Sequence, residues 1–161
     1  MRRTALLLLA LCVALTVAAA SGAATIKLGW TEQLKRDPVT RLTFRVATLE
    51  ITAAGWKADV TITNDGSGKV TVGGRQFAIA EFDTKTNFTK PSRVLHATAF
   101  LPVPPATLAP GQRWSGTIAG GGRPDARLYV RLVFGPFATS ASPTPFTWIT
   151  DHAHHVFTVT I

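Results

Sequence analysis

Three of the four histidines in this 161-residue sequence fall within Asp151-His152-Ala153-His154-His155. Neutral imidazoles are common ligands for divalent transition metals. On an extended strand, residues two apart project from the same face. His152 and His154 could therefore share a metal there. Asp151 could add an oxygen ligand or orient a ring from behind, His155 is a further donor, and His96 is a candidate from a distant segment. The rest of the metal chemistry is narrow. A single cysteine, Cys12, precludes an internal disulfide, a thiolate zinc site and an iron–sulfur cluster. No cofactor motif is present, and no cofactor is expected.

Catalytic constellations are missing. Ser115 lies between Trp114 and Gly116, without the strand–turn–helix setting that a nucleophile elbow requires. The nine acidic residues are scattered and select no pair for glycoside chemistry. The sequence is accordingly read as that of a non-enzyme.

Binding chemistry has more to work with. Arg127 and Arg131 flank Tyr129 on one expected strand face, and Arg41 and Arg45 share another. Such faces suit an anionic envelope component or an acidic protein. The basic balance, 17 Lys and Arg against 9 Asp and Glu, carries no nucleic-acid recognition motif, and nucleic acid is not the expected partner. Trp30, Trp114 and Trp148 fall near expected strand ends, where an indole could stack on a sugar or tuck under a loop. Trp56 has core parity. Asn87-Phe88-Thr89 is a glycosylation sequon in a polar loop.

The elements that position these residues begin after a leader. Arg2 and Arg3 precede an apolar run from Ala5 to Ala20, broken only by Thr16, and Ser21–Ala24 are small. This is the layout of a secretory signal peptide over residues 1–24, too short to span a bilayer. Leu11 before Cys12 does not fit lipidation. Removal of Arg2 and Arg3 takes the net charge from +8 to +6. The remaining chain, 25–161, has neither Cys nor Met, so an apolar core must stabilise it.

That remainder alternates with period two and is punctuated by Gly, Pro and Asn-Asp clusters, which predicts an all-β antiparallel sandwich of about seven to nine strands. Leu42, Phe44 and Val46 share one parity and Leu49 and Ile51 the other, which predicts a bulge near Ala47-Thr48. Trp56, Ala58, Val60 and Ile62 form the clearest half-buried strand. Asn64–Gly68 then reads as the turn of a hairpin over residues 56–73. Further strands are expected ending near Phe82, over 93–101, over 112–118, around Leu128–Phe134 and over 156–161, with a Pro-containing loop at Gly135–Pro145.

Leu108-Ala109-Pro110-Gly111-Gln112-Arg113-Trp114-Ser115-Gly116-Thr117-Ile118 and the Val60–Asn64 strand ending resemble small exported bacterial immunoglobulin-like domains. The resemblance implies an immunoglobulin-like sandwich, secreted or attached to the cell envelope, that binds other molecules. The sequence lacks the inter-sheet cysteine pair of antibody domains. Two functions from different classes follow: an exported binding module with no transmembrane segment after cleavage, and a divalent-metal-binding exported protein using the 151–155 cluster.

The leader assignment has a direct test. N-terminal sequencing of exported protein is expected to give a start between Ser21 and Thr25, and a start at Met1 would refute it.

Overall fold

The computed structural model describes residues 23–73, 76–83 and 89–155. Twelve strand segments occur among them and no α-helix, so no described helix is long and apolar enough to cross a membrane. The segments are β1 (Ala24–Lys35), β2 (Arg41–Ile51), β3 (Gly55–Asn64), β4 (Val70–Val72), β5 (Ala78–Phe82) and β6 (Arg93–His96). They continue with β7 (Ala99–Leu101), β8 (Thr107–Leu108), β9 (Arg113–Gly121), β10 (Tyr129–Thr139), β11 (Phe146–Ile149) and β12 (His154–His155).

All pairings are antiparallel and form two sheets. One runs β1-β2-β3-β9-β7; the other runs β6-β5-β10-β4-β8, with β11 and β12 also paired to β10. The fold is thus a small all-β sandwich, as the alternation predicts. The expected leader lies outside the described residues except for Ala23 and Ala24, and the strand expected over 156–161 lies wholly outside them.

Period-two alternation determines what goes inside. Leu42, Phe44, Val46, Leu49 and Ile51 of β2 are buried, as are Trp56, Ala58, Val60 and Ile62 of β3. They meet Val130, Leu132, Phe134 and Phe137 of β10 in one core cluster. The phase slip in β2 is a bulge between Val46 and Thr48. Aromatic rings fill the centre: Phe44 stacks on Trp148 at 4.4 Å and on Phe134 at 4.9 Å, and Phe77 meets Phe134 edge-on at 5.4 Å.

Three expectations are corrected. Residues 56–73 do not form a hairpin, because β3 and β4 belong to different sheets. The cause is Asn64, whose side chain is fully buried. Its amide donates to the carbonyls of Gly68 at 2.8 Å and Leu108 at 3.0 Å, while Asp65 and Gly66 donate backbone N–H groups to Arg41. The turn is therefore pulled across the gap between the sheets. Similarly, residues 93–101 are two strands in different sheets. Ala97 donates to Phe77 in the connection before β5, and Thr98 donates to Ala119 on β9, so consecutive residues bond to opposite layers.

The third correction concerns Gly135–Pro145. β10 continues through Gly135 and Pro136 to Thr139. Gly135 adopts φ +130°, which only glycine takes readily, and the register shifts between Phe134 and Phe137. Pro136 has no N–H to donate, but its carbonyl accepts from Gly73 at 2.7 Å. The division of 93–101, the additional strands β1 and β11, and the two-residue segments β8 and β12 raise the segment number above the seven to nine expected. β1 has no counterpart among the expected strands. Its inward apolar positions are only half-buried, its one buried residue is Glu32, and a bulge at Gly29 interrupts its pairing with β2.

Replacing Asn64 by Ala would leave two carbonyls at the sheet crossing without their donors. The expected cost is about 2–4 kcal/mol, read as a fall of about 10 °C in Tm. An unchanged Tm would remove Asn64 from its place as the tie between the sheets.

Candidate functional site

The Asp151–His155 segment follows β11 and returns to β10. Glu32, 8% exposed on β1, anchors its start. The backbone N–H groups of Asp151 and His152 donate to the two carboxylate oxygens of Glu32, each at 2.8 Å, and His152 Nδ1 lies 2.5 Å from Oε1. The His152 ring also stacks on Trp30, with centroids 5.8 Å apart. His154 pairs with Val130 and His155 with Tyr129, so the two rings take opposite faces of β12. Burial, and then the charge of His155, push His154 below its ordinary value of 6.5. Asp151 is exposed and lies 3.6 Å from Arg131. Among the described residues, no three His, Cys, Asp or Glu side chains are arranged to hold a metal ion.

Tyr129 and Arg131, two apart on β10, share a face, and each of Arg127, Tyr129 and Arg131 is engaged by a neighbour. Arg127 lies in the turn before β10 and pairs with Asp125 at 2.9 Å; its side-chain hydrogen bond, then its backbone one, hold that carboxyl down to about 2. Tyr129 packs edge-on against His155 at 4.7 Å. Arg131 is largely covered: its guanidinium sits over the Phe82 ring at 5.7 Å and donates to the Thr150 carbonyl. It closes the outer side of β5 rather than presenting a free cation. The Trp residues are mostly structural. Trp56 and Trp114 are buried, and Trp148 stacks in the core on Phe44. Asn87 lies outside the described residues.

The outward side of the five-stranded sheet has a different character. Antiparallel register places Arg45, Thr61 and Ser115 in one row across β2, β3 and β9. The next row carries Thr43, Thr63 and Arg113, and another carries Thr48, Asp59 and Thr117. A depression of about 570 Å³ opens here, lined by Arg45, Asp59, Thr61, Thr63, Arg113 and Ser115, together with Gly29 and Trp30 of the β1 bulge.

The electrostatics of this face follow from who holds the acids. Asp59 accepts from Thr48 at 2.6 Å and from Thr117 at 2.7 Å, which lowers its pKa. Asp65 accepts from Thr43. Glu50 is paired with Lys57 at 2.8 Å, and that hydrogen bond raises the lysine. Every one of these acids is occupied by a neighbour, while Arg45 and Arg113 are exposed and have no carboxylate partner among the described residues. Thr61 and Ser115 hydroxyls, 3.0 Å apart, lie between them. Arg45 was legible as a surface cation. Arg113 and the hydroxyl rows were missed, although the inward parity of Trp114, Val60 and Ile62 requires Arg113, Ser115, Thr61 and Thr63 to face outward.

No protein-family model and no curated protein matches the chain. A search of solved structures finds similarity to an X-ray structure, Northeast Structural Genomics Consortium target SoR45, at 14% identity, covering 87% of this chain and 88% of that one, with a TM-score of 0.40.

The Glu32 anchor generates a prediction. Substituting Ala for Glu32 leaves two backbone donors of the 151–152 turn unpaired, at an expected cost of about 2 kcal/mol. Hydrogen exchange should accelerate at Asp151 and His152 before it does so in β2 and β3. Uniform protection in the variant would show that Glu32 does not hold this segment.

Proposed function

We propose that this protein is an exported, non-enzymatic binding module of immunoglobulin-like type, and that it takes an anionic ligand on the outward face of its five-stranded sheet. The observation that carries this reading is the pair Arg45 and Arg113: two exposed guanidiniums without acid partners among the described residues, at a depression lined by Thr and Ser hydroxyls and by Asp59, whose carboxylate is held by Thr48 and Thr117. Guanidiniums recognise carboxylate, sulfate and phosphate through planar paired hydrogen bonds, and the hydroxyls supply further donors to the same oxygens.

The leader-like residues 1–24 support export. The buried Trp56 and the Leu108–Ile118 segment support the immunoglobulin-like reading. Leu108 and Trp114 are buried, and Gly111 turns between them at φ +75°, its N–H donating to Asn64. The depression lies on a sheet face rather than in a loop cleft, which suits a ligand with repeated anionic groups.

Heparin serves as a polyanion probe. Retention on a heparin column at low salt is expected, and the double variant Arg45→Gln/Arg113→Gln should lower affinity about tenfold or more at low ionic strength. Arg127→Gln, which removes a cation already paired with Asp125, should elute with the parent protein. A larger loss with Arg127→Gln than with the double variant would move the binding surface to the β10 side and overturn this assignment.

A further inference from the structure

The same outward face carries a second feature at its β7 edge. Leu101 pairs with Thr117, and antiparallel partners share a face, so its side chain stands in the row of Thr48, Asp59 and Thr117. It is 78% exposed, and Val103, two residues on, is 76% exposed. Val103 lies in the connection that leaves β7 for β8 of the other sheet, so it stands at the rim of this face beside Leu101 rather than in its rows. Both are also held in place. Phe100 packs edge-on against Phe77 at 5.6 Å, and Trp114 Nε1 donates to the Pro102 carbonyl at 3.2 Å, which pins the backbone between them. No charged residue occurs from Ala97 to Gln112, and Arg113 is the first cation beyond that stretch.

We propose that this face docks on an anionic phospholipid surface. In this arrangement Leu101 and Val103 enter the acyl boundary, and Arg113 and Arg45 meet headgroup phosphates. The inference rests on the anion-binding reading above and adds the identity of the ligand. What selects a lipid over a soluble polyanion is the juxtaposition of two kinds of surface. A soluble polyanion engages the arginines and hydroxyls and leaves the apolar edge in water. A bilayer presents phosphate and hydrocarbon within a few ångströms of one another and engages both. The two arginines and two apolar side chains amount to a reversible anchor rather than a membrane span.

The test uses the untagged protein as it leaves the exporting cell, with its N-terminus verified so that no leader contributes. Sedimentation is measured with vesicles of phosphatidylcholine containing about a third phosphatidylglycerol, and with vesicles of phosphatidylcholine alone. Partition into the mixed vesicles is expected, with at least a fivefold preference over neutral ones. Leu101→Ser/Val103→Ser should lower that partition about tenfold or more and leave heparin retention unchanged. Arg45→Gln/Arg113→Gln should abolish the preference for the mixed vesicles.

Heparin retention without vesicle binding would overturn the lipid assignment and leave the anion-binding face standing as a site for a soluble or glycan polyanion. Failure of both probes would overturn the anion-binding reading itself. Vesicle binding undiminished by Leu101→Ser/Val103→Ser would overturn the docking geometry.

Discussion

The fully buried carboxamide of Asn64 is the interaction on which the two-sheet arrangement depends. It closes β3 at the lower end of one sheet and bonds to carbonyls of Gly68 and Leu108 on the way into the other. The backbone carbonyl of Asn64 accepts from Gly111, in the turn that leads into β9, and its side-chain oxygen accepts from Gly66. A buried amide with unmet donors costs more than most single contacts contribute, so the three chain segments around it have one acceptable arrangement. That arrangement puts β9 beside β3. Arg113 and Ser115 then stand in the same rows as Thr63 and Thr61, and the outward face is assembled as a consequence of the crossing.

How much of this was legible depends on the range over which each determinant acts. Parity within a strand is local, and it placed Leu42–Val46, the bulge after Val46, and Trp56–Ile62 correctly. Sheet membership is not local. Nothing in the run Arg93–Leu101 marks the point between Ala97 and Thr98 where the backbone changes partners, since both sides are apolar and extended. Gly135-Pro136 looked like a loop because Pro cannot donate, yet a carbonyl partner and a glycine in the right conformation keep that strand going. β1 was hidden for a different reason. Its alternation is present in Ile26, Leu28 and Trp30, but Glu32 occupies an inward position, and only the 151–152 backbone donors justify a carboxylate there.

The site was legible in part for the same reasons. Asp151, His152, His154 and His155 are adjacent in sequence, and that adjacency is what made them conspicuous. In space, Glu32 and Trp30 take His152, while the strand pleat sends His154 and His155 to opposite sides. Arg131 has outward parity on a strand, yet an outward side chain is not a free one when Phe82 needs cover. Arg45 and Arg113 are 68 positions apart in sequence. Only the register of two ladders brings them to one depression, and register follows from the crossing at Asn64 and from the bulge in β2 rather than from either segment alone.

The outward face then shows how a sheet can carry a charged surface without loss to its fold. The inward residues of β2, β3 and β9 determine the backbone, and the outward ones are free to vary as long as their charges are accommodated. Here threonine hydroxyls meet the demands of Asp59 and Asp65, and Lys57 occupies Glu50. A hydroxyl hydrogen-bonds to a carboxylate without neutralising it, so Asp59 is satisfied without drawing on Arg45 or Arg113, which have no carboxylate partner among the described residues. Asp59, its pKa lowered by Thr48 and Thr117, lines the same depression as Arg45 and Arg113. Both arginines stand on strands whose opposite faces are locked in the core, so the spacing of their backbone positions is set by the register of the two ladders.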